Sequence, residues 1–547
     1  MTDDLTFMSA TELAARIHGR EISPVDLVEA QLAKIAAADD VLRAFIHVDP
    51  ERAQGLARAA EGEIAAGGYR GPLHGITVAH KDIIDVVGMP TTGASKVIPH
   101  RIATRDATVV SRLKGAGTVC LGKLNLIEFA SGSMGVFGFA RNPWNLSAYP
   151  GGSSSGSGAA LAAGMVTLAT GTDTGGSVRN PACFCGLVGL RPTYGRVSRH
   201  GCISLSWSQD SIGPMGRTVA DVALMLGAIA GSDHFDATSA QRRVPDFTAD
   251  LGKEVTGVRI GVPHGFFMED LEPQVAEAMH AAIRQFAALG AVIVPVALPA
   301  SEFAPAASWT IAYSESFVYH RDWFESSSKA YTPAFYHKIA AAGLTSAEDR
   351  IVSQQIRQVV TREFQDAFET VDVILTPTSR TLASDDGSAP TGARTLGWSG
   401  DMTSVTRPVS LTGFPALSVP IGFATDNTPM GMQLDARPWE EAALFRVAHA
   451  YEQSTPWHEA RPPAIPDAIP PRFGAAGPPP PESTEGRAVT PDWVMDMARL
   501  LGHGFITEDD GRAIAPMLAP VKEQLAAARK ALRLDIEPPT RPAGLPG

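Results

Sequence analysis

Ser177 stands in the stretch GTDTGGSVRNP (171–181), directly after Gly175 and Gly176 and ahead of Arg179 and Pro181. A serine hydroxyl is a weak nucleophile until a neighbouring base takes its proton. In a glycine-rich turn, successive backbone N–H groups can form a pocket for an anion. A serine there could attack a carbonyl whose oxygen is held by the turn's own backbone. A second Gly/Ser-rich turn, GGSSSGSG (151–158), lies upstream. The Ala- and Leu-rich segment Ala159–Ala169 reads as a buried helix joining the two turns. Small residues at this density fit a place where backbone meets backbone or ligand closely.

Other readings of glycine-rich sequence fit less well. A flexible linker would not enclose an apolar segment or continue into CGLVGLRP (185–192). A phosphate-binding P-loop needs a lysine directly after its glycines, and a dinucleotide fold needs G-x-G-x-x-G with an acid about 20 residues on. Neither pattern is present.

GGSSSGSGAALAAG followed by GTDTGGSVRNPACFCGLVGLRPTYGRVS resembles the signature of the amidase signature family of serine hydrolases. The resemblance covers about residues 7–460. It implies an α/β fold with a mixed central β-sheet flanked by helices, and a Ser–cisSer–Lys triad. Ser177 falls on the nucleophile, and Ser153 on the bridging serine, whose peptide bond to Gly152 is cis in the family. Ser155 stands where many members have glycine. Lys81, in PLHGITVAHKDIIDV (72–86), falls on the catalytic lysine. A lysine must be neutral to act as a base, and burial lowers its pKa. Val78, Ala79, Ile83 and Ile84 would supply apolar surroundings, and the neighbouring His80 reads as structural.

The implied chemistry is acyl transfer. Lys81 takes a proton from Ser153, Ser153 takes one from Ser177, and the N–H groups of Thr174, Gly175, Gly176 and Ser177 hold the oxyanion. Asp173 and Arg179 would pin the turn by hydrogen bonds or a mutual ion pair. In GKLNLIEFASGSMGVFG (122–138), Ser133 and Met134 would line the substrate pocket, with Asn125 and Glu128 as scaffold hydrogen-bonders. Asp210 and Gly213-Pro214 would brace the site from behind. The family needs no metal and no organic cofactor.

The positioning elements read as follows. Ser9 opens a capping box and Ser23-Pro24 a second helix start. Short strands are expected at 117–122, 258–262, 291–296 and 371–378, and a late core strand over Ser410–Phe423 continued by Gly431–Leu434. A strand–helix–strand unit runs through Pro273–Leu289. Residues 306–370 read as mostly helical, with scattered aromatics.

The chain has 547 residues, 44% hydrophobic and 19% charged, with a net charge of −12. An acidic balance argues against nucleic-acid binding through a basic surface. Four scattered cysteines give no disulfide framework and no zinc spacing, and read as buried thiols. No apolar leader or 18-residue apolar run appears, so the expectation is a cytoplasmic protein that does not enter membranes.

The expected layout is a catalytic domain over 1–460, a proline-rich linker over 461–489, and a helical extension over 490–547. The extension carries Val494, Met497, Ala498, Leu500 and Leu501 on one face, then Leu518, Val521, Leu525, Ala528 and Leu532 on another. Its LLGHGFITEDDGRAI and RLDIEPPTRPA resemble, more weakly, the small helical C-type subunits that wrap around some family members. It is expected to pack on the catalytic domain, within a homo-oligomer such as a homodimer. The main functional expectation is an amidohydrolase acting on a small-molecule amide, ester or carbamate. The alternatives are the amide-cleaving subunit of a glutamine-dependent amidotransferase, or a noncatalytic binding protein on the same scaffold. Retention of Lys81, Ser153 and Ser177 together argues against the last.

Overall fold

The computed structural model describes residues 2–133, 136–383, 403–465, 489–532 and 534. Its centre is a mixed sheet of eleven strands among these residues. They are β1 (Phe45–Val48), β2 (Thr77–Lys81), β3 (Val119–Leu124), β4 (Leu168–Asp173), β5 (Val188–Arg191), β6 (Ser211–Gly216), β7 (Arg259–Pro263), β8 (Val292–Val296), β9 (Val373–Pro377), β10 (Ala416–Phe423) and β11 (Pro429–Asp435). Their order across the sheet is β1-β3-β2-β4-β6-β5-β10-β11-β9-β7-β8. Helices cover the sheet, as expected for the α/β class.

One parallel pair positions the site. β2 runs parallel to β4 with Val78 beside Leu168 and His80 beside Thr170. Lys81 and Asp173, the last residues of these strands, therefore emerge at one end of the sheet. In open α/β sheets, ligands bind outside the carboxyl ends of parallel strands. At the far side, β7 and β8 are parallel and joined through the helix Pro273–Ala288, the strand–helix–strand unit expected there.

The sequence reading is corrected at two turns. Ala159–Ala169 is not one helix. A helix spans Ser155–Ala162, Gly164 takes φ +70°, and the chain then enters β4 at Leu168. A left-handed glycine just past a helix is a stop signal. Ser410–Phe423 is likewise not one strand. The helix Arg407–Thr412 is ended by Gly413 at φ +79°, and β10 starts at Ala416.

The capping box at Ser9 forms and the second helix starts at Pro24 as expected, where Ser23 and Asp26 close a further capping box. The four cysteines are free, three buried and Cys202 partly so. No helix of the described residues is long and apolar enough to cross a membrane.

The C-terminal helices Pro491–Leu500 and Glu508–Ala531 pack together and against the helices Ala304–Ser327, Pro333–Gly343 and Ala347–Thr370. Val494, Ala498, Ile514, Leu518, Val521, Leu525 and Ala528 are buried. Tyr336 Oη donates to the Phe505 carbonyl at 2.7 Å, His337 Nε2 lies 3.1 Å from Asp510 Oδ1, and Lys522 Nζ is 2.7 Å from Asp349 Oδ2. Leu500 and Leu501 correct the expected apolar face, being 77% and 45% exposed. Their helix is ending there, and Gly502 at φ +70° turns the chain away. Most of the expected linker, residues 466–488, lies outside the described residues, as does RLDIEPPTRPA apart from Leu534.

Candidate active site

Lys81 ends β2 fully buried. Its Nζ lies 2.7 Å from Ser153 Oγ and 2.8 Å from Thr172 Oγ1. Burial pushes the amine down to about 7, against the pull of Asp173 and Asp210 further off. An amine so placed is substantially neutral near pH 7 and can accept a proton through its lone pair. His80 instead contacts Thr170 Oγ1 at 3.1 Å, and burial lowers its pKa to about 3. It is a neutral structural histidine, as the sequence implied.

Ser153 enters through a cis Gly152–Ser153 peptide bond. The preceding glycines are required by space. At Gly152, a Cβ would lie 2.1 Å from Tyr149 Oη and 2.4 Å from Ile127 Cδ1. At Gly151, φ is +83° and a Cβ would lie 2.5 Å from the Pro181 Cα. The two Gly/Ser turns are tied directly: Ser154 N–H donates to the Ser177 carbonyl at 3.3 Å, and Thr172 N–H to Ser154 Oγ at 3.3 Å.

Ser177 is partly exposed between buried neighbours, and so is Gly175. The turn that carries it is held from beneath by Asp173. That carboxylate accepts from Gly176 N–H (2.9 Å), Val178 N–H (3.2 Å) and Arg179 Nε (3.0 Å), and lies 3.3 Å from Arg191 Nη1. Burial alone would raise its pKa; Arg179 and Arg191 outweigh that and hold it well below the carboxylate range. The expected pinning role of Asp173 and Arg179 is thus met by both hydrogen bonds and an ion pair. The oxyanion expectation is corrected at one position. Gly176 N–H is already given to the Asp173 carboxylate at 2.9 Å.

The remaining expected residues fall nearby. Asp210 accepts from Thr174 Oγ1 at 2.6 Å and from the Leu205 and Ser206 N–H groups at 2.9 Å each, bracing the turn. Asn125 Nδ2 donates to the Arg43 and Gly138 carbonyls, and Glu128 accepts from Ser95 and Thr332. Ser133 is partly buried and its carbonyl accepts from Glu128 N–H at 3.2 Å. Met134 lies outside the described residues.

Sequence reasoning missed several residues. Thr172 is the second partner of Lys81. Arg191 is the second cation on Asp173; an arginine inside the apolar run CGLVGLRP was its signal. Arg179 reaches further than expected, to Gln433 Oε1 (2.6 Å), Ser410 Oγ (2.6 Å) and the Thr406 carbonyl (3.0 Å). Thr406 Oγ1 in turn donates to the Gly175 carbonyl at 2.6 Å. These contacts seat the helix Arg407–Thr412 against the Ser177 turn, from a distant part of the chain that no local motif announces.

The fold is that of an α/β protein with a large mixed sheet flanked by helices, and comparison with known proteins specifies its class. The profile of the Amidase family matches residues 26–445. The chain belongs to that family and is an amide-cleaving enzyme acting on carbon–nitrogen bonds. It is 41% identical over 482 residues to a Glutamyl-tRNA(Gln) amidotransferase subunit of Geobacter metallireducens, covering 83% of this chain and 99% of the relative. The structure of native peptide amidase from Stenotrophomonas maltophilia matches with a TM-score of 0.72 and 32% identity, over 84% of this chain and 98% of that one. A structure described as a vestigial protein complex revealing the evolutionary origins of an s-triazine catabolic enzyme matches with a TM-score of 0.76 and 32% identity, over 84% and 100%.

Proposed function

We propose that this chain cleaves its amide through an acyl-enzyme on Ser177. Neutral Lys81 takes the Ser153 proton, Ser153 takes that of Ser177, and Ser177 Oγ attacks the carbonyl carbon. The N–H groups of Thr174, Gly175 and Ser177 receive the oxyanion. The proton returns through Ser153 to the leaving nitrogen, the carbon–nitrogen bond breaks, and water then frees the acid. The observation that carries this reading is the 2.7 Å contact between a buried, pKa-depressed Lys81 and Ser153, under the turn that presents Ser177.

Two substrate readings follow. The relatives favour the side-chain amide of glutamine, as in the amidotransferase, because the match spans 99% of such a relative. A free-standing amidase is favoured by a different observation: the C-terminal helices cover this chain's own helices, so that surface is not open to a separate protein. In the second reading the protein is a cytoplasmic homo-oligomer; in the first it works with the other amidotransferase components. Ammonia release from glutamine and from a panel of simple amides tests the choice. Glutaminase activity that rises on adding the other amidotransferase components supports the first reading. Turnover of simple amides by the isolated chain, with glutamine untouched, supports the second.

A further inference from the structure

The segment 127–133 stands between the Ser153 turn and a distant part of the chain. Ile127 N–H donates to the Ser153 carbonyl at 3.1 Å, and a Cβ on Gly152 would lie 2.4 Å from Ile127 Cδ1. Two residues further on the backbone is strained. Phe129 has φ +43° and Ala130 φ +65°, in the left-handed region that residues with a side chain disfavour. Such a conformation persists only where the surrounding structure holds it.

The helix Pro333–Gly343 holds it from one side. Thr332, at the start of that helix, gives its N–H (2.9 Å) and its hydroxyl to Glu128 Oε2. Phe335 sets its ring 5.5 Å from that of Phe129, centre to centre, and a Cβ on Gly132 would meet Phe335 Cβ at 3.0 Å. Lys338 Nζ donates to the Ser131 carbonyl at 2.8 Å. The helix thus grips the residues on both flanks of the strained pair.

The same helix is held in turn by the C-terminal helices. Tyr336 Oη donates to the Phe505 carbonyl at 2.7 Å, His337 Nε2 lies 3.1 Å from Asp510 Oδ1, and His503 Nε2 lies 3.1 Å from the Gly343 carbonyl. The Tyr336 ring also stacks on Phe324, 5.4 Å between centres. A helix fixed on two sides has little freedom to tilt, so the loop it grips is fixed as well. We infer that the C-terminal helices position Ser153 through the helix Pro333–Gly343 and the loop 127–133, and that Tyr336 and His337 are positioning residues for the reaction. This rests on the reading of Ser153 as the hydroxyl that bridges Lys81 and Ser177. A misplacement of about 1 Å, even one caused far from the chemistry, can cost roughly a hundredfold in rate.

The test uses the full chain. Tyr336→Phe/His337→Leu removes both bonds and keeps the apolar packing. Lys522→Met is the comparison: it breaks the contact to Asp349 on the helix Ala347–Thr370, which among the described residues gives no hydrogen bond to the loop. For each variant, kcat and KM are taken from ammonia release on the simple amide that wild type turns over fastest, and Ser177 labelling by a fluorophosphonate is timed, all well below the melting temperature. The double variant is expected to lose about fivefold or more in kcat with KM within about twofold, and to label more slowly by a similar factor. Tyr336→Phe/His337→Gln, which restores a donor toward Asp510, should recover part of the loss. Lys522→Met should keep wild-type constants even if it melts lower. If the double variant does not fold, Tyr336→Phe alone is read in its place, with a fall in kcat of about twofold or more expected. An unchanged kcat in folded protein, a loss confined to KM, or an equal loss in Lys522→Met overturns the positioning role. Failure of the nucleophile reading looks different: wild-type protein would turn over the amide and take up no fluorophosphonate on Ser177.

Discussion

Lys81 Nζ and Ser153 Oγ, from strand β2 and from a glycine-bounded turn 72 positions later, lie 2.7 Å apart with both side chains buried. No ionic partner is needed to neutralise this lysine; burial itself does so, pulling its pKa to about 7. The Ser177 turn beside them is held by the buried side chains of Asp173, Asp210 and Thr406 as well as by backbone bonds.

The first prediction concerns pH. Only neutral Lys81 can accept a proton, so kcat/KM should rise about tenfold per pH unit below pH 7 and level off above it. A pH–rate profile on one amide substrate checks this. A rate that falls steadily from pH 6 to pH 8 contradicts a lysine base.

Lys81→Met and Ser153→Ala should each reduce kcat by roughly three or more orders of magnitude, and the double variant should be little worse than either alone. Residues acting as one unit are strongly non-additive. Multiplicative losses in the double variant would mean that the two act separately.

Asp173 joins the Ser177 turn to Arg179 and Arg191 in a fully buried cluster. Asp173→Ala leaves two buried cations without their carboxylate, a change that costs about 3–5 kcal/mol. The folded-state pKa of Asp173 is depressed, so its contribution is present above the unfolded value of about 3.9 and is lost as pH falls below it. Urea unfolding at pH 7 should therefore show the full loss. A midpoint unchanged from wild type would contradict the role given to this cluster.

Asp435, on β11, has a fully buried carboxyl, and burial raises its pKa to about 7 despite Arg179 and Gln433 nearby. A raised carboxyl contributes fully below its unfolded value of about 3.9, and that contribution is lost as pH rises toward 7. Asp435→Asn should raise the melting temperature, and by more at pH 8 than at pH 5. Equal shifts at both pH values would count against a protonated Asp435.

Truncation before Val489 should expose the apolar surface of the helices Ala304–Ser327, Pro333–Gly343 and Ala347–Thr370 that the two C-terminal helices cover. The shortened chain is expected to melt lower and to aggregate. If it stays soluble and equally stable, and limited proteolysis cuts freely within 490–532 of the intact chain, the packing role is wrong.

How much of this was readable before the fold? Local chemistry was. The two Gly/Ser turns, Lys81 at a strand end, and the pinning pair Asp173 and Arg179 each lie within a short, dense motif. Helix starts were also legible, because capping is decided within four residues, as at Ser9 and Ser23. Stops were less so: Gly164 and Gly413 break apolar runs that periodicity alone joins. What escaped were partners brought in by tertiary contact. Arg191, Thr406 and Arg407 reach the Ser177 turn only once β5 and β10 pair in the sheet. The commitment of Gly176 N–H to Asp173 depends on a turn geometry that spacing does not encode.

The central claim is that Ser177 is the nucleophile, activated through Ser153 by Lys81. Its most direct measurement is fluorophosphonate labelling followed by peptide mass spectrometry, with rates taken on wild type, Ser177→Ala and Lys81→Met. The account predicts one adduct, on Ser177, absent from Ser177→Ala and formed at least a hundredfold more slowly in Lys81→Met. An adduct on another residue, or labelling of Lys81→Met at the wild-type rate, would contradict it.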